Sequence, residues 1–447
     1  MTKSVARNVD LPRSVASTRN SRYTAKFDDL VRAYDGAPLP VSFRELVGPL
    51  PAQEGAHQAH PYPARLVRQV PRFLLNCEQM SAPGDLVFDP FCGSGTVLLE
   101  ARSSLKPSWG TDANPLATLI AQVKIHPVDK TAARQALDRV VRASTRMGSD
   151  YPVDQFLDRW FSPSTRSALE AISRAIQRHT AGRIRDAMMI GLSLTAEKLA
   201  HKDPRIPVPV RRHEPIENYP RSNVIAVFKD RSSYVLSRVP SECTPQRAPS
   251  EVFTARAQDC LDVSSSESLG STKLILTSPP YGAAQKYIRS SAISLAVLGL
   301  AHPSQFAALN RAMTGREWIV EADRMTSTPE HLKTSVTSVL EELRELAPRR
   351  HQIYAAFFED MRLALDACVK LLAPGGYFIL VSSDNTVAGR LVATHELLAE
   401  MLEQSDCARV VTLEDQIAGR RLMTKRANSA AQPIRSEYVH IFRKAGQ

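Results

Sequence analysis

The sequence predicts an α/β protein in which a doubly wound mixed sheet carries a mainly helical insertion. Residues 86–89 (LVFD) form a short apolar segment that ends in an acid, and a glycine-containing turn and a helical pattern follow. Residues 109–112 (WGTD) repeat this pattern, and residues 252–259 and 273–282 resume it downstream. Alternating buried strands and helices are typical of an open sheet with helices on both faces. The long gap before the third strand predicts the insertion.

The same pattern and the distribution of charge predict the domain organisation. Residues 1–56 are polar and basic and are predicted to form an N-terminal arm. Residues 57–130 and 251–447 are predicted to form the α/β domain. Residues 131–250 contain 20 Lys and Arg against 12 Asp and Glu, which is +8 of the net charge of +11. This concentration favours a nucleic-acid surface over a merely solvated face, so the insertion is the candidate target-recognition region, and residues 284–350 are a second candidate contribution.

The remaining elements follow from apolar periodicity and from turn residues. Strands are expected at 223–228, 377–383, 409–413 and 438–442, and helices at 354–372 and 394–404. The Ala-Pro-Gly-Gly sequence at 373–376 is the expected stop between a helix and a buried strand.

Composition excludes several classes of protein. No apolar run of about 18 residues is present, so a membrane partner is not expected. The basic N-terminus has no apolar run behind it and does not resemble a secretory signal. The six cysteines form no CxxC pair, which argues against structural zinc and fits a reducing compartment. A cytoplasmic, nucleoid-associated protein without a metal site is expected.

The first motif is the turn at residues 89–96 (DPFCGSGT), which lies between a predicted strand and a predicted helix. Gly93 and Gly95 allow a positive φ and a close approach of the backbone to a ligand at the N-terminus of the helix. Asp112, at the end of the next strand, is placed to bind ribose hydroxyls. The turn has neither the GxGxxG of a nicotinamide site nor the GK[ST] of a P-loop. An unrelated Rossmann turn and a purely structural turn are the alternatives.

The second motif is TSPPY at residues 277–281, at the carboxyl end of another predicted strand. Prolines fix the backbone and remove N–H groups, which leaves the carbonyls of Ser278 and Pro279 as fixed acceptors. Tyr281 offers an aromatic face on which a base can stack. An ordinary Pro-Pro turn, with Pro280 and the tyrosine simply packed, is the alternative.

Together the two motifs resemble the amino-methyltransferases of DNA, whose signatures are a DPFxGSGT cofactor turn and a [DNS]PP[YFW] catalytic turn. The resemblance covers residues 57–126 and 251–443. It implies a Rossmann-like class I methyltransferase fold, S-adenosylmethionine as cofactor and double-stranded DNA as partner, with a cognate restriction endonuclease as a further candidate partner. The catalytic residues that it implies are Ser278, Pro279, Pro280 and Tyr281. The cofactor-binding residues that it implies are His60, Tyr62, Asp89, Pro90, Phe91, Gly93, Ser94, Gly95, Asp112, Asn114 and Asp259.

Specific roles also follow from the resemblance. Asp89 would line the methionine end of the cofactor, Asp112 would hold the ribose, and Asp259 would hold the adenine amino group. The segment at residues 60–66 (HPYPARL) would close over the cofactor. The SPP[YW] form of the catalytic turn is mostly found in cytosine-N4 enzymes, so Ser278 favours cytosine N4 over adenine N6.

Chemistry supports such a site and leaves alternatives. An exocyclic amine is a weak nucleophile, and acceptors around its N–H groups stabilise the positive charge that develops on methylation. The base must flip out of the duplex to be reached. A cytosine-C5 mechanism would need a Pro-Cys turn, which the chain lacks. Adenine-N6 methylation, RNA base methylation, protein-glutamine methylation and a non-catalytic DNA-binding subunit remain as alternatives.

Overall fold

The computed structural model describes residues 17–50, 55–63, 65–148, 154–206, 208–242, 248–264, 269–282, 286–316, 318–319, 332, 334–416 and 435–446. The strands are β1 (Leu39–Val41), β2 (Val87–Asp89), β3 (Ser108–Asp112), β4 (Ser250–Thr254), β5 (Thr272–Thr277), β6 (Leu372–Ser382), β7 (Asn385–Val387), β8 (Arg390–Val392), β9 (Cys407–Gln416) and β10 (Ser436–Lys444). The first helices are α1 (Ser17–Ala33), α2 (Phe43–Val47), α3 (Gln69–Leu74), α4 (Thr96–Ser103), α5 (Pro115–Ile125), α6 (Lys130–Arg146), α7 (Pro163–His179) and α8 (Gly182–Leu199). The later helices are α9 (Arg221–Arg238), α10 (Cys260–Val263), α11 (Tyr287–Val297), α12 (Phe306–Ala312), α13 (Thr334–Leu346), α14 (Pro348–Leu371) and α15 (Thr394–Glu403).

An eight-stranded sheet in the order β1-β9-β10-β6-β5-β2-β3-β4 organises the molecule. Within this sheet, strand β10 runs antiparallel to both of its neighbours, β6 and β9, and the other strand pairs are parallel; β7 and β8 form a separate antiparallel pair. The predicted mixed, Rossmann-like α/β sheet is therefore confirmed.

Alternate side chains of the central strands enter different cores, as the pleat of a strand requires. Val87 and Leu274 pack on one face with residues of α2 and α3, whereas Phe88 and Ile275 pack on the other with residues of α14 and α15. Both faces are thus covered by helices, which explains why the central strands are apolar throughout.

The described part of the predicted N-terminal arm is folded onto the sheet. Strand β1 pairs in parallel with β9, where Leu39 is the register partner of Leu413. Phe43, at the start of α2, is fully buried, and Phe27 of α1 is almost fully buried. Residues 17–50 are therefore an edge of the α/β domain and do not form a separate arm. Their many charged residues masked the few apolar positions that anchor them.

The insertion is helical, as expected, except that the strand predicted at residues 223–228 is wrong. These residues lie within α9, where Val224 and Phe228 are fully buried at the i, i+4 spacing of a helix. Helix α9 crosses α8 closely at Gly191, where an added Cβ would lie 2.9 Å from the Cα of Ser232. Helices α6 to α9 form a helical lobe, and its core also includes residues of α5 and α11. The packing of the lobe therefore extends beyond the predicted insertion boundaries.

One further boundary differs from the expectation. The strand predicted at 252–259 ends at Thr254, and Asp259 lies in a 3-10 turn (Ala257–Asp259) that precedes α10. Residues 317, 320–331 and 333, within the second candidate recognition segment, lie outside the described residues. Among the described helices, none is long and apolar enough to cross a membrane.

Candidate active site

The cofactor-type turn connects β2 to α4 at the carboxyl edge of the sheet. Gly93 and Gly95 both have positive φ, at 49° and 77°. Gly95 is required for a second reason, because a Cβ added there would lie 2.8 Å from the Cβ of Ala121 on α5. The turn is therefore shaped by its glycines and by the helix that packs behind it.

Two buried aspartates bracket this turn. Asp89 Oδ1 accepts hydrogen bonds from the Phe91 amide at 3.1 Å and from the Thr277 hydroxyl at 2.7 Å. Burial raises the pKa of Asp89 to about 7 despite these hydrogen bonds. Asp112 accepts from the amides of Asn114 at 2.8 Å and Gly93 at 3.0 Å, and burial raises the pKa of Asp112 to about 6. Both carboxyl groups are thus held in place and poised to bind cationic or hydroxyl groups.

A buried lysine supports the same turn from behind. The Nζ atom of Lys124, on α5, donates to both the carbonyl and the hydroxyl of Ser94 at 2.9 Å. Burial lowers the pKa of Lys124 to about 7. The lysine therefore fixes the middle of the turn and places a cation close to it.

Two clefts meet along the turn. The larger encloses about 530 Å³ that is partly open to solvent, and the smaller encloses about 340 Å³. They share Phe91, Gly93 and Ser278. A continuous groove of this size is typical of a small-molecule site at the carboxyl ends of the strands of an open α/β sheet. The larger cleft is lined by Tyr62, Pro90, Phe91, Gly93, Asp112, Ala113, Arg256, Ala257, Ser278, Pro280, Tyr287, Ala312, Met313 and Thr314.

The second motif follows β5 and lies directly beside the first. The hydrogen bond between Thr277 and Asp89 joins the two motifs. Within the turn, the Ser278 hydroxyl lies 3.1 Å from the phenolic oxygen of Tyr281. The carbonyl of Tyr281 accepts a hydrogen bond from Asn385 Nδ2 at 2.7 Å. The serine therefore faces both clefts while its rotamer and the following backbone are held by neighbouring groups.

Seven of the eleven predicted cofactor residues line one cleft or the other. The four that line neither are His60, Gly95, Asn114 and Asp259. His60 is buried against Ser193 of the helical lobe, with 3.1 Å between its Nε2 atom and the Ser193 hydroxyl.

Asn114 has a supporting position too. Its side-chain oxygen caps α5 by accepting from the amide of Leu116, and its Nδ2 atom donates to the hydroxyl groups of Tyr62 and Ser291. It therefore positions Tyr62, which lines the larger cleft. Of the second motif, Ser278 and Pro280 line a cleft, whereas Pro279 and Tyr281 do not.

Several lining residues lie outside both motifs. Arg65, within the segment predicted to close over the cofactor, lines the smaller cleft together with Asp89. Tyr287, Arg256 and the turn at residues 312–314 line the larger one. Of these lining residues, only Arg65 lies in a segment that the sequence predicted to contact the cofactor. Tertiary packing brings Arg256, Tyr287 and the 312–314 turn to the cleft.

One group of side chains among the described residues has metal-like spacing, and it lies outside the two clefts. His395, Glu396 and His440 converge, with 3.0 Å between the facing nitrogens of the two imidazoles. The guanidinium of Arg409 binds both carboxylate oxygens of Glu396, and His440 also bonds to Thr412. A cation at this position would compete with the arginine, so we assign the cluster to packing of α15 on the sheet.

Comparison with known proteins places this geometry in context. No family model matches the chain. The type II methyltransferase M.MvaI of Kocuria varians is 20% identical over 411 residues, which cover 87% of this chain and 89% of that protein. The type II methyltransferase M.MjaII of Methanocaldococcus jannaschii is 29% identical over 101 residues, or 23% of this chain and 19% of that protein.

A solved S-adenosylmethionine-dependent methyltransferase of Methanosarcina mazei is 11% identical, with a TM-score of 0.30 over 83% of this chain and 97% of that one. The chain is thus similar along most of its length to a type II methyltransferase. The two type II methyltransferases support the predicted methyltransferase class.

Proposed function

We propose that the chain is an S-adenosylmethionine-dependent DNA methyltransferase that acts on the exocyclic amino group of a flipped base, with cytosine N4 favoured. The observation that carries this proposal is the junction of the two clefts at Ser278, where the Thr277–Asp89 hydrogen bond ties the catalytic turn to the cofactor turn. A donor held in the groove and an acceptor base held at Ser278 would then be neighbours. The relatives named type II methyltransferases support DNA as the substrate.

The residues of the groove fit the cofactor. Asp89 in the smaller cleft suits the methionine ammonium group, with Arg65 across the same cleft suited to the carboxylate. Asp112 in the larger cleft suits the ribose diol. Open space around Gly93 at positive φ lets the ligand approach the backbone. Asp259 lines neither cleft, so we assign the adenine end to the neighbourhood of Ala257 instead.

The chemistry of the transfer is divided between cofactor and protein. When bound, S-adenosylmethionine supplies a methyl group that is already activated on a sulfonium. The protein supplies acceptors for the N–H groups of the incoming amine, which we assign to Ser278 Oγ and the carbonyl of Pro279. Either hydroxyl can donate in the pair formed by Ser278 and Tyr281, and when Ser278 donates, both of its lone pairs are available for the amine. Positioning of the base against the groove then contributes much of the remaining acceleration.

The serine at the start of the SPPY turn, Ser278, favours cytosine N4 as the target. Adenine N6 is the second candidate. Both targets present an amine next to a ring nitrogen, so the same turn serves either. An RNA base remains the third candidate, and the basic helical insertion suits either nucleic acid.

The decisive experiment is expression in a host that lacks DNA methylation, followed by digestion of its DNA to nucleosides and mass spectrometry. N4-methylcytosine in the wild type, and its absence with Ser278→Ala, is the expected result. N6-methyladenine would overturn the choice of base and retain the mechanism. A wild-type protein that binds S-adenosylmethionine but leaves DNA unmodified would overturn the DNA substrate, and the same assay on host RNA would then decide.

A further inference from the structure

The larger cleft has a wall that belongs to neither motif. Ala312, Met313 and Thr314 line it, at the C-terminal end of α12 and the turn that follows. Met313 and Thr314 are 7% and 5% exposed, so they are packed rather than projecting into solvent. This turn lies within residues 284–350, the second candidate recognition segment, and no sequence motif predicted that it contacts the cofactor.

The turn presses against the catalytic motif. Gly315 has a φ of 71°, and a Cβ added there would lie 2.8 Å from the Cβ of Pro280 and closer still to the carbonyl of Gly282. The wall and the catalytic turn therefore fit together without room for a side chain at Gly315. Movement of one would displace the other.

A single buried carboxylate connects this wall to Arg256, which also lines the cleft. Asp360, on α14, is 7% exposed. One of its oxygens lies 3.2 Å from the guanidinium of Arg256, which follows β4 and lines the cleft. Its other oxygen lies 3.6 Å from the guanidinium of Arg316, which ends the turn. Asp360 is therefore a counter-charge that the two arginines share.

Arg256 also has capacity for a ligand. Its Nε–H is buried and, among the described residues, has no hydrogen-bond acceptor. An unsatisfied buried donor at the surface of a cleft is costly unless a ligand or water accepts from it. Asp360 therefore holds Arg256 in place, and the Nε–H of Arg256 has the capacity to donate a hydrogen bond to a bound ligand.

We propose that Asp360 is a positioning residue for cofactor binding, because it clamps the 312–316 turn and Arg256 together in the lining of the larger cleft. This inference rests on the proposed function. Loss of the carboxylate would remove the counter-charge that joins Arg316 of the turn to Arg256, so the link between these two parts of the cleft lining would weaken. In our assignment the adenosyl part of the ligand lies in the larger cleft beside Asp112. We therefore expect the contacts of this part of the ligand to weaken most.

The test is a calorimetric measurement of S-adenosylmethionine and S-adenosylhomocysteine binding to the full chain. We expect Asp360→Asn to weaken both ligands by about 10- to 50-fold, as loss of a buried charge bridge of this kind does. The matched control is Asp366→Asn on the same helix, which breaks a more exposed ion pair with Arg362 and does not touch the cleft. The control is expected to bind within about twofold of the wild type.

A second readout separates positioning from general destabilisation. Hydrogen exchange of the ligand-free proteins should rise in the peptide containing residues 306–316 for Asp360→Asn and remain unchanged for Asp366→Asn. If Asp360→Asn does not fold, Arg316→Gln at the other end of the bridge should show the same loss of affinity and the same local exchange.

Each outcome decides a different point. Normal affinity in Asp360→Asn, or equal losses in both aspartate variants, would overturn the clamp. A wild-type protein that binds neither ligand would instead overturn the proposed function, and unchanged exchange in the 306–316 peptide of Asp360→Asn would then overturn the clamp as well.

Discussion

Binding of S-adenosylmethionine is expected to strengthen as the pH rises from 6 to 7.5, because Asp89 must lose a proton before it can pair with the methionine ammonium group. Burial raises the pKa of Asp89 to about 7, well above the ordinary value for aspartate. The ionised fraction then rises by about eightfold across this range, and the association constant should rise in proportion. The ligand's own amino group stays protonated below a pH of about 7.7, so it does not reverse the trend.

Two other groups titrate in the same window and must be separated. The pKa of Asp112 is raised by burial to about 6, so its ionisation should add about a further twofold in the same direction. The pKa of Lys124 is lowered by burial to about 7, and its loss of charge would weaken attraction for the ligand's carboxylate as the pH rises. The contribution of Asp89 is therefore the difference between the wild type and Asp89→Asn at each pH.

Isothermal titration calorimetry in buffers of different ionisation enthalpy measures both the affinity and the protons exchanged. The wild type should release protons on binding near pH 6.5, and Asp89→Asn should bind more weakly, with little of the eightfold rise. The free energy of unfolding of the ligand-free protein should have the opposite pH dependence. Because the pKa of Asp89 is raised in the folded state, its contribution to stability falls as the pH rises from about 4 to 7. An affinity that is flat or falls over this range, with no difference between the two proteins, would refute the assignment of Asp89 to the ammonium group.

The remaining predictions concern the supports of the site. Gly95→Ala should lower the free energy of unfolding by about 2–4 kcal/mol in chemical denaturation, because the substitution combines a left-handed φ with a clash against α5. Gly84→Ala is the control, since Gly84 has a φ of 92° but nothing within 4 Å of an added Cβ, and it should show the backbone strain alone. Equal losses of stability in the two variants would contradict the clash. Asn385→Ala should lower kcat about tenfold and leave cofactor affinity within about twofold, because it frees the carbonyl of Tyr281; a change confined to affinity would contradict this. Phe228→Ala should destabilise the protein by about 3–5 kcal/mol, measured by denaturant unfolding, because this ring is fully buried in the helical lobe; a loss below about 1 kcal/mol would contradict that packing.

The parts of the fold that the sequence predicts well are those with a local signal. Strands β2, β3 and β5 are short apolar runs bounded by an acid or a proline turn, and the structure places them side by side in the sheet in the order β5-β2-β3. The segment at 223–228 misled for a physical reason: Val, Ile and Phe favour strands by propensity, whereas their burial in α9 follows a helical period set by packing against α8. The edge strand β1 was missed because three residues between charged segments give no periodicity.

The candidate site divides in the same way, and the division explains where its specificity would arise. The motif residues Asp89, Gly93 and Ser278 occur in two short runs of sequence, because one backbone turn must present each run to a ligand. The walls that complete the groove come from Arg256 and the 312–314 turn, which are far apart in the sequence and are joined through Asp360 of α14. Short motifs of this kind are compatible with many substrates, whereas such walls set the shape of the groove. Differences in base or cofactor preference between this chain and its 20%-identical relative are therefore expected to follow the walls more than the motifs.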